Sequence, residues 1–336
     1  MLGAKIPLKK AEKIKNYLMK NGLVNYNYIS KRTEDSIIFP VTKKFFKLGI
    51  RFVDEKFEER IKKQSFKDIM KQTLTYKELE FLKTAHDVVG TIAILEVPEE
   101  LVEKEKLIAE ALLKTNKNIK TVLKKAGEHS GVYRTQKMKW LAGDKTKVSI
   151  HKENNVQLKI DVEKVFFSAR LGTERKRIMQ QIKKGEEVMV LFSGCAPYVC
   201  VFAKNTNAKE VYGIELNPAG HKLGLENIKL NKLKNVKLIE GDVKKIVPNL
   251  HKKFDRISMQ LPKSAADFLP EAFMLAKTGT IIHFYDFLHE NDFADAEKKI
   301  AKACKKARLK YEILGLHKCG QFSPGKFRVC LDFKIV

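Results

Sequence analysis

The chain has 336 residues, of which 44% are hydrophobic and 32% carry a charge. A chain of this length and apolar content can bury two or three cores, which excludes a disordered segment. Its apolar runs are shorter than the ~18 residues of a transmembrane helix, and its N-terminus lacks the hydrophobic segment of a signal peptide. The five cysteines are irregularly spaced, which argues against a disulfide framework and favours a reducing cytosol.

Net charge indicates the kind of partner. Lysine and arginine number 66 against 40 aspartates and glutamates, which gives a formal charge of +26. Such an excess attracts polyanions and favours phosphate contacts through counterion release. Lysine enrichment that serves surface stability is the alternative. No lipidation motif accompanies the charge, so we expect nucleic acid rather than a membrane as the partner.

The first half of the chain is predicted to form two small α+β domains. In residues 1–65, apolar residues at helical spacing predict a helix over Lys9–Asn21. This segment is either a basic module that contacts a polyanion or a dimerisation module. In residues 66–164, the pattern predicts a helix over Glu99–Leu113 and a hairpin with its turn at Asn154-Asn155.

From residue 165 onward, strands and helices alternate as a parallel sheet requires. A helix is predicted over Arg175–Lys183. Seven segments are predicted to be strands, the last two as an antiparallel pair that closes the sheet: Val188–Phe192, Val211–Ile214, Val236–Glu240, Arg256–Met259, Gly279–Tyr285, Tyr311–Leu314 and Phe327–Phe333.

The carboxyl ends of the first strands favour a cofactor site. The first strand ends at Phe192 and a small-residue loop with Gly194, and the second ends at Glu215. Ligands of doubly wound folds bind at such ends, where a glycine lets a cofactor approach the backbone and an acid binds ribose hydroxyls. Because no G-x-G-x-x-G sequence is present, we expect these residues to bind S-adenosylmethionine rather than a dinucleotide. Asp242, just past the third strand, is expected to reach the adenine amino group.

Several short strings carry a family resemblance. Asp161–Arg177 contains Phe-Phe-Ser-Ala-Arg-Leu-Gly-Thr-Glu-Arg, and it is followed by Tyr212–Pro218, Asn227–Lys232, Leu261–Lys263 and Ile281–Tyr285. Together they resemble the archaeal and eukaryotic tRNA (guanine-37-N1)-methyltransferases, over the chain from about residue 130 and more weakly before it. The resemblance implies S-adenosylmethionine as methyl donor and guanosine 37, beside the anticodon, as the target.

The resemblance also implies individual roles. Glu174 corresponds to the family's general base. Chemistry agrees, since guanine N1 bears a proton of high pKa and its attack on a methyl sulfonium benefits from a carboxylate that removes that proton. Arg134 corresponds to the arginine that stabilises negative charge on guanine O6. Further implied contacts to guanine, cofactor or RNA come from Gln260, Pro262, Arg175, Phe166, Arg170 and Lys263.

Four positions depart from the family's pattern. Val190 stands where the first strand usually carries an acid, and Ala196 replaces the second loop glycine, so that turn is reached with negative φ or with strain. Gln260 replaces an asparagine, and Phe166 replaces a tyrosine. Two alternatives stay open: a wybutosine-pathway relative that modifies a tricyclic guanosine derivative by methyl or aminocarboxypropyl transfer, and an RNA-binding paralogue with impaired catalysis.

We therefore expect an α/β protein whose Rossmann-like class I methyltransferase domain, residues 165–336, has a seven-stranded, mostly parallel sheet. Residues 1–65 are expected to bind the tRNA body and residues 66–164 to contribute to RNA binding and to the active site. The expected protein is a cytosolic monomer that binds the anticodon arm, with no metal and no membrane partner.

Overall fold

The computed structural model describes residues 1–47, 49–60, 64–127, 131–261 and 263–336. Their contacts divide the chain into two compact units, Met1–Ile69 and Met70–Val336. No helix among these residues is long and apolar enough to cross a membrane. All five cysteines are free thiols.

The N-terminal unit is an antiparallel sheet, ordered β2-β3-β1-β4, with one helix packed on it. The helix buries Ile14 and Leu18, which lie one turn apart, in the same core as Ile6 of the central strand. It falls within the span predicted from the sequence. The elements are β1 (Leu2–Pro7), α1 (Ala11–Lys20), β2 (Lys31–Arg32), β3 (Ser36–Pro40) and β4 (Arg51–Asp54).

The second unit begins with a four-stranded sheet in the order β5-β6-β7-β8, in which only β6 and β7 are parallel. The helix predicted over Glu99–Leu113 starts as a 3-10 helix at Glu99–Lys104 and becomes α-helical only afterwards, because tighter turns commonly open a helix. The elements are α2 (Phe66–Thr73), which contains the boundary between the units, α3 (Tyr76–Phe81), β5 (Asp87–Val89), β6 (Ile92–Leu95), α4 (Glu105–Thr115), β7 (Thr121–Lys125) and β8 (Met138–Gly143).

A hairpin and a seven-stranded sheet complete the second unit. The sheet order is β13-β12-β11-β14-β15-β17-β16. The first five strands are parallel, and β17 is antiparallel to both of its neighbours, β15 and β16. The elements are β9 (Val148–Glu153), β10 (Val156–Asp161), α5 (Gly172–Met179), β11 (Glu187–Leu191), α6 (Pro197–Asn205), β12 (Glu210–Glu215), α7 (Pro218–Leu230), β13 (Val236–Glu240), α8 (Val243–Ile246), β14 (Phe254–Met259), α9 (Leu269–Leu275), β15 (Ala276–His289), α10 (Ala294–Ala307), β16 (Tyr311–Ser323) and β17 (Lys326–Ile335).

Two sets of predicted boundaries were wrong. Helix α5 runs over Gly172–Met179 instead of Arg175–Lys183, which places Glu174 in its first turn. Strands β15, β16 and β17 are longer than predicted because β15 and β17 pair as far as His289 and Lys326, beyond the reach of the parallel strands. Bulges between β16 and β17 obscure the alternating pattern that would have indicated this extension.

Two asparagine side chains, Asn227 of α7 and Asn231 directly after it, cover the free edge of β10. Asn231 accepts a hydrogen bond from the backbone N–H of Gln157 (2.9 Å) and donates to its carbonyl (2.7 Å). Asn227, one helical turn earlier, does the same with Lys159 at 2.7 and 3.1 Å. The two amides thus replace a neighbouring strand and satisfy an edge that would otherwise be unpaired.

One hydrophobic core joins the two sheets of the second unit. It contains Ile92 and Leu123 of the four-stranded sheet, Leu158 of the hairpin and Val188 of β11, all fully buried. A separate core, formed with α9 and α10, fills the other face of the seven-stranded sheet. The strand ends that carry the predicted site are therefore held on both faces.

Candidate active site

Glu174 lies in the first turn of α5 and is 5% exposed. Arg177, three residues later on the same helix, donates from Nε to Oε2 and from Nη2 to Oε1, both at 2.8 Å. The hydroxyl of Tyr285 on β15 donates to Oε1 at 2.7 Å. Such bidentate and hydroxyl contacts compensate the cost of burying a carboxylate.

Arg177 connects Glu174 to a second buried carboxylate, Asp332 on β17, through a contact of 2.6 Å. Asp332 also lies 2.6 Å from Nδ1 of His283. Although burial raises the pKa of Asp332, the hydrogen bonds and charges of His283 and Arg177 outweigh it and hold that pKa well below its usual value. Asp332 is therefore the anion on which Arg177 and His283 converge.

His283 extends this network to Arg256 on β14. Nη1 of Arg256 lies 3.0 Å from Nε2 of His283, and its guanidinium pairs with Glu186 at 2.9 Å. Since arginine only donates, Nε2 accepts and the proton of the neutral ring lies on Nδ1, facing Asp332. Burial has the largest influence and lowers the pKa of His283. The charge and hydrogen bond of Asp332 raise this pKa, whereas the charges of Arg256 and Arg177 lower it further.

The ligand atoms of His283, Cys330 and Asp332 lie within 4.8 Å of one another, a spacing that would suit a metal ion. Both ring nitrogens of His283 are already engaged, and the guanidinium groups of Arg177 and Arg256 contact this cluster. Two fixed cations oppose the entry of a third, so an ion-pair network accounts for the cluster.

Because His283 is neutral in the folded protein, we expect the free energy of unfolding to depend on pH. Because the folded state lowers its pKa, unfolding below about pH 6.5 takes up a proton that the folded protein excludes. Stability is therefore lost as the pH falls through this range, with a slope of at most about 1.4 kcal/mol per pH unit from this residue. Denaturant titrations at a series of pH values measure it. His283→Gln should show a shallower slope, and an unchanged slope would contradict this origin.

The loop after β11 has an unusual backbone. Phe192, Gly194 and Ala196 all adopt positive φ, at 64°, 58° and 65°. Of the two predicted alternatives for Ala196, negative φ or strain, the structure shows strain. Such backbone strain costs on the order of 1–3 kcal/mol for each non-glycine residue and is common at ligand sites. A Cβ at Gly194 would meet only the carbonyl oxygen of Phe166 at 3.8 Å, so open space adjoins this backbone.

Glu215, at the end of β12, holds the same loop. Its Oε2 accepts the N–H of Gly194 at 2.5 Å, and its Oε1 accepts the N–H of Asn217 at 2.8 Å. Burial raises the pKa of Glu215 against the opposing effect of the backbone N–H groups of Asn217, Gly194 and Leu216. A carboxylate has about four lone-pair sites, so capacity remains to accept from a ribose hydroxyl. Asp242, after the neighbouring strand, caps α8 by accepting the N–H of Lys244 at 2.9 Å.

A chain of tyrosines joins Glu174 to this loop. The hydroxyl of Tyr285 lies 3.4 Å from that of Tyr198, which belongs to α6, the helix that follows the loop. Phe192, the predicted cofactor contact, packs its ring edge-on against Phe268 with 4.8 Å between centroids. The predicted base and the predicted cofactor residues are thus parts of one connected region.

Other predicted residues have different surroundings. Arg175 is 1% exposed and pairs with Glu153 of the hairpin at 2.5 and 2.6 Å, which favours a structural role over the predicted cofactor contact. Arg170 pairs with Asp87 at 2.7 Å and stays 67% exposed. Burial, and to a smaller extent nearby Arg328, lower the pKa of the partly buried Arg134.

Among the residues predicted to contact guanine or RNA, Gln260 directly follows β14. In the amide orientation that satisfies both of its atoms, Gln260 donates to the carbonyl of Leu191 at 2.8 Å, so it braces the start of the loop instead of projecting from it. Phe166 and Lys263 are exposed. Pro262 lies outside the described residues.

Sequence reasoning missed Arg177, Tyr285 and Asp332 as parts of the site. Arg177 follows Glu174 by three residues on a helix, a spacing that predicts a contact. Tyr285 ends one of the recognised strings. Asp332 is the one acidic residue of β17, and only the pairing of β15 with β17 shows which group it meets.

Three family models match successive parts of the chain: the tRNA methyltransferase 5 N-terminal domain over residues 3–48, the TYW2 N-terminal domain over 66–146, and the TRM5/TYW2 methyltransferase domain over 149–314. The last match runs from the hairpin to the start of β16.

Named relatives are similar over most of the chain. The tRNA (guanine(37)-N(1))-methyltransferase Trm5b of Pyrococcus abyssi is 35% identical over 336 residues, 99% of each chain, and its crystal structure superposes with a TM-score of 0.78 over 100% of this chain and 99% of that one. A solved complex of aTrm5 with tRNALeu gives 0.75 at 31% identity, covering 100% of both chains. The tRNA (guanine(37)-N(1))/4-demethylwyosine(37)-methyltransferase Taw22 of Nanoarchaeum equitans is 31% identical, covering 75% of this chain and 100% of its own.

Proposed function

This chain belongs to the Trm5 family of tRNA methyltransferases, and from that premise we propose that it transfers a methyl group from S-adenosylmethionine to N1 of guanosine 37 in tRNA. The observation that carries the proposal is the position of Glu174. It is a buried carboxylate, fixed by Arg177 and Tyr285 and connected through Tyr198 to the loop held by Glu215.

Glu174 acts in this proposal as the general base. Among the hydrogen bonds of the described residues, Oε1 accepts two and Oε2 one, which leaves a lone pair on Oε2 for the N1 proton of guanine. Arg177 and Tyr285 fix the carboxylate so that it needs no reorientation during the reaction. Arg134 places a cation near guanine O6, where negative charge develops as N1 loses its proton.

Glu215, Gly194 and Asp242 hold the cofactor in this proposal. Glu215 offers two oxygens already oriented by backbone N–H groups, and Gly194 adjoins open space. The bound cofactor supplies an electrophilic methyl group on its sulfonium. The residues of the loop bring guanine and this group together, and proximity contributes much of the acceleration.

Substrate binding uses the basic surface. Position 37 is stacked in the anticodon loop, so guanosine must be splayed out before N1 is reached. We assign base or backbone contacts to Phe166, Arg170, Lys263 and Pro262. Residues 1–65 bind the tRNA body, residues 66–164 contribute Arg134, and residues 165–336 carry the chemistry. We propose further that the protein is a cytosolic monomer and uses no metal.

The decisive experiment supplies labelled S-adenosylmethionine and two unmodified tRNAs, with guanosine or adenosine at position 37, and maps the product by mass spectrometry. We expect 1-methylguanosine at position 37 in the first tRNA and no label in the second. Labelling of another nucleotide, or equal labelling of both tRNAs, would refute the proposal.

A tRNA that carries 4-demethylwyosine at position 37 belongs in the same experiment. Gln260 is longer than the asparagine of the family's pattern, and a relative named for both guanosine and 4-demethylwyosine is 31% identical. These two observations favour a modified guanosine as second substrate. If this tRNA is methylated more slowly than the tRNA with guanosine at position 37, guanosine is the main target.

Glu215→Ala should weaken S-adenosylmethionine binding by about 10- to 150-fold, as expected for lost hydrogen bonds to a charged group. Isothermal titration calorimetry measures the dissociation constant of the cofactor. Glu240→Ala is the matched control, since Glu240 pairs with Glu215 at the neighbouring strand end but is exposed. If the two variants bound the cofactor equally well, Glu215 would not be a cofactor ligand.

A further inference from the structure

Strands β15 and β17 bring three pairs of residues to one face of the sheet. His283 pairs with Asp332, Tyr285 with Cys330, and Phe287 with Arg328. Side chains two apart on a strand share a face and lie about 7 Å apart along it. Arg328 therefore lies one step beyond Tyr285, whose hydroxyl donates to Glu174. On the other side of β17, Arg328 pairs with Gly320, which offers no side chain to it.

Arg328 is partly buried, as Arg177 is, and it differs from three other arginines of this unit. Arg175, Arg177 and Arg256 each pair with a carboxylate. Nε of Arg328 is buried and has no hydrogen-bond partner, and within the described part of the chain its guanidinium forms no ion pair. The ring of Phe287 lies 5.1 Å from its guanidinium carbon. Tyr198, Cys319 and Tyr285 are near enough to influence its pKa. An unpaired cation in such surroundings is costly, which indicates an anion yet to bind.

Arg134 approaches the same place. The pKa of Arg134 is lowered by burial and then by the charge of Arg328, so the two guanidinium groups lie close enough to repel. Burial likewise lowers the pKa of Arg328. Two guanidinium groups that lie near one another form a site for an oxyanion, which each can bind with two N–H groups.

We propose that Arg328 binds an oxyanion of the tRNA substrate at nucleotide 37, as the second cation of a pair with Arg134. This inference rests on the proposed function and adds a ligand residue to it. The oxyanion is either guanine O6, as N1 is deprotonated, or a phosphate that flanks the nucleotide. Both sources share the same chemistry, and modified substrates separate them.

The test compares Arg328→Gln and Arg328→Lys with Arg308→Gln, a control at an exposed position after α10. Single-turnover methylation of guanosine 37 by Arg328→Gln should slow by about tenfold or more, with partial recovery in the lysine variant. Cofactor affinity should not change. The melting temperature without tRNA should not fall, because the free protein gives Arg328 no anion, whereas a structural residue would lower it.

Two substrates then identify the oxyanion. One tRNA carries a neutral methylphosphonate beside nucleotide 37, and the other carries 6-thioguanosine at position 37. If the methylphosphonate removes the effect of Arg328→Gln, the ligand of Arg328 is the phosphate. If 6-thioguanosine removes it, the ligand is O6. The reason is that two changes to one interaction are not additive. Wild-type activity of Arg328→Gln, or full effects with both substrates, would overturn the inference. If the proposed function itself were wrong, the unaltered enzyme would not methylate guanosine 37, which distinguishes that case from failure of this inference.

Discussion

Glu174→Gln lowers the rate of methyl transfer to guanosine 37 by about 10²- to 10⁴-fold, the usual contribution of a positioned general base. The amide keeps the size of the side chain and can still meet Tyr285, but it cannot take the N1 proton. Single-turnover assays with saturating cofactor and tRNA measure the chemical step without product release.

Two controls separate this loss from misfolding. Cofactor affinity should stay unchanged, since the hydrogen bonds of the described residues connect Glu174 to the loop indirectly, through Tyr285 and Tyr198. The rate of the variant should rise with pH more steeply than that of the unaltered enzyme, because deprotonation of guanine then depends on solvent. A Glu174→Gln protein with the original rate would leave this enzyme without its proposed base.

Asp332→Asn lowers the free energy of unfolding by about 3–5 kcal/mol, the usual cost of removing one partner of a buried ion pair. The change removes the charge that Arg177 and His283 share while preserving shape. Denaturant titration at neutral pH, where the aspartate is ionised because its pKa is lowered, measures the difference.

The matched control is Asp295→Asn, which removes an exposed carboxylate paired with Lys298 on α10. Exposed pairs of this kind contribute little, so the control should unfold with the midpoint of the original protein. A loss from Asp332→Asn no larger than that of the control would show that the buried network does not stabilise the fold.

The sequence was most informative where one local pattern determined one element. The hairpin turn at Asn154-Asn155 and the buried run Val188–Leu191 were predicted because turn chemistry and hydrophobic periodicity act over a few residues. Glu174 was predicted as the base because a specific string surrounds it, and that role stays a prediction. The predicted fold class and family agree with the structural and sequence relatives.

Long-range pairing set the limit of prediction. Asp332 and Arg177 meet across 155 positions, and nothing local to either residue indicates the other. Arg175 was interpreted as a cofactor contact because it lies in the string that carries the family resemblance, but its partner Glu153 belongs to another element. Arg328 is visible as an unpaired cation only after the register of β15 and β17 is known.

Asn227 and Asn231, which cover β10, are positions where chemical loss of the amide would disturb the fold. Only an amide presents a donor and an acceptor side by side, as a peptide group does. Deamidation of Asn227 or Asn231 would set a carboxylate oxygen against the carbonyl of Lys159 or Gln157, where each amide now donates. A single hydrolysed side chain would thus replace attraction by repulsion and release an edge strand able to recruit another chain.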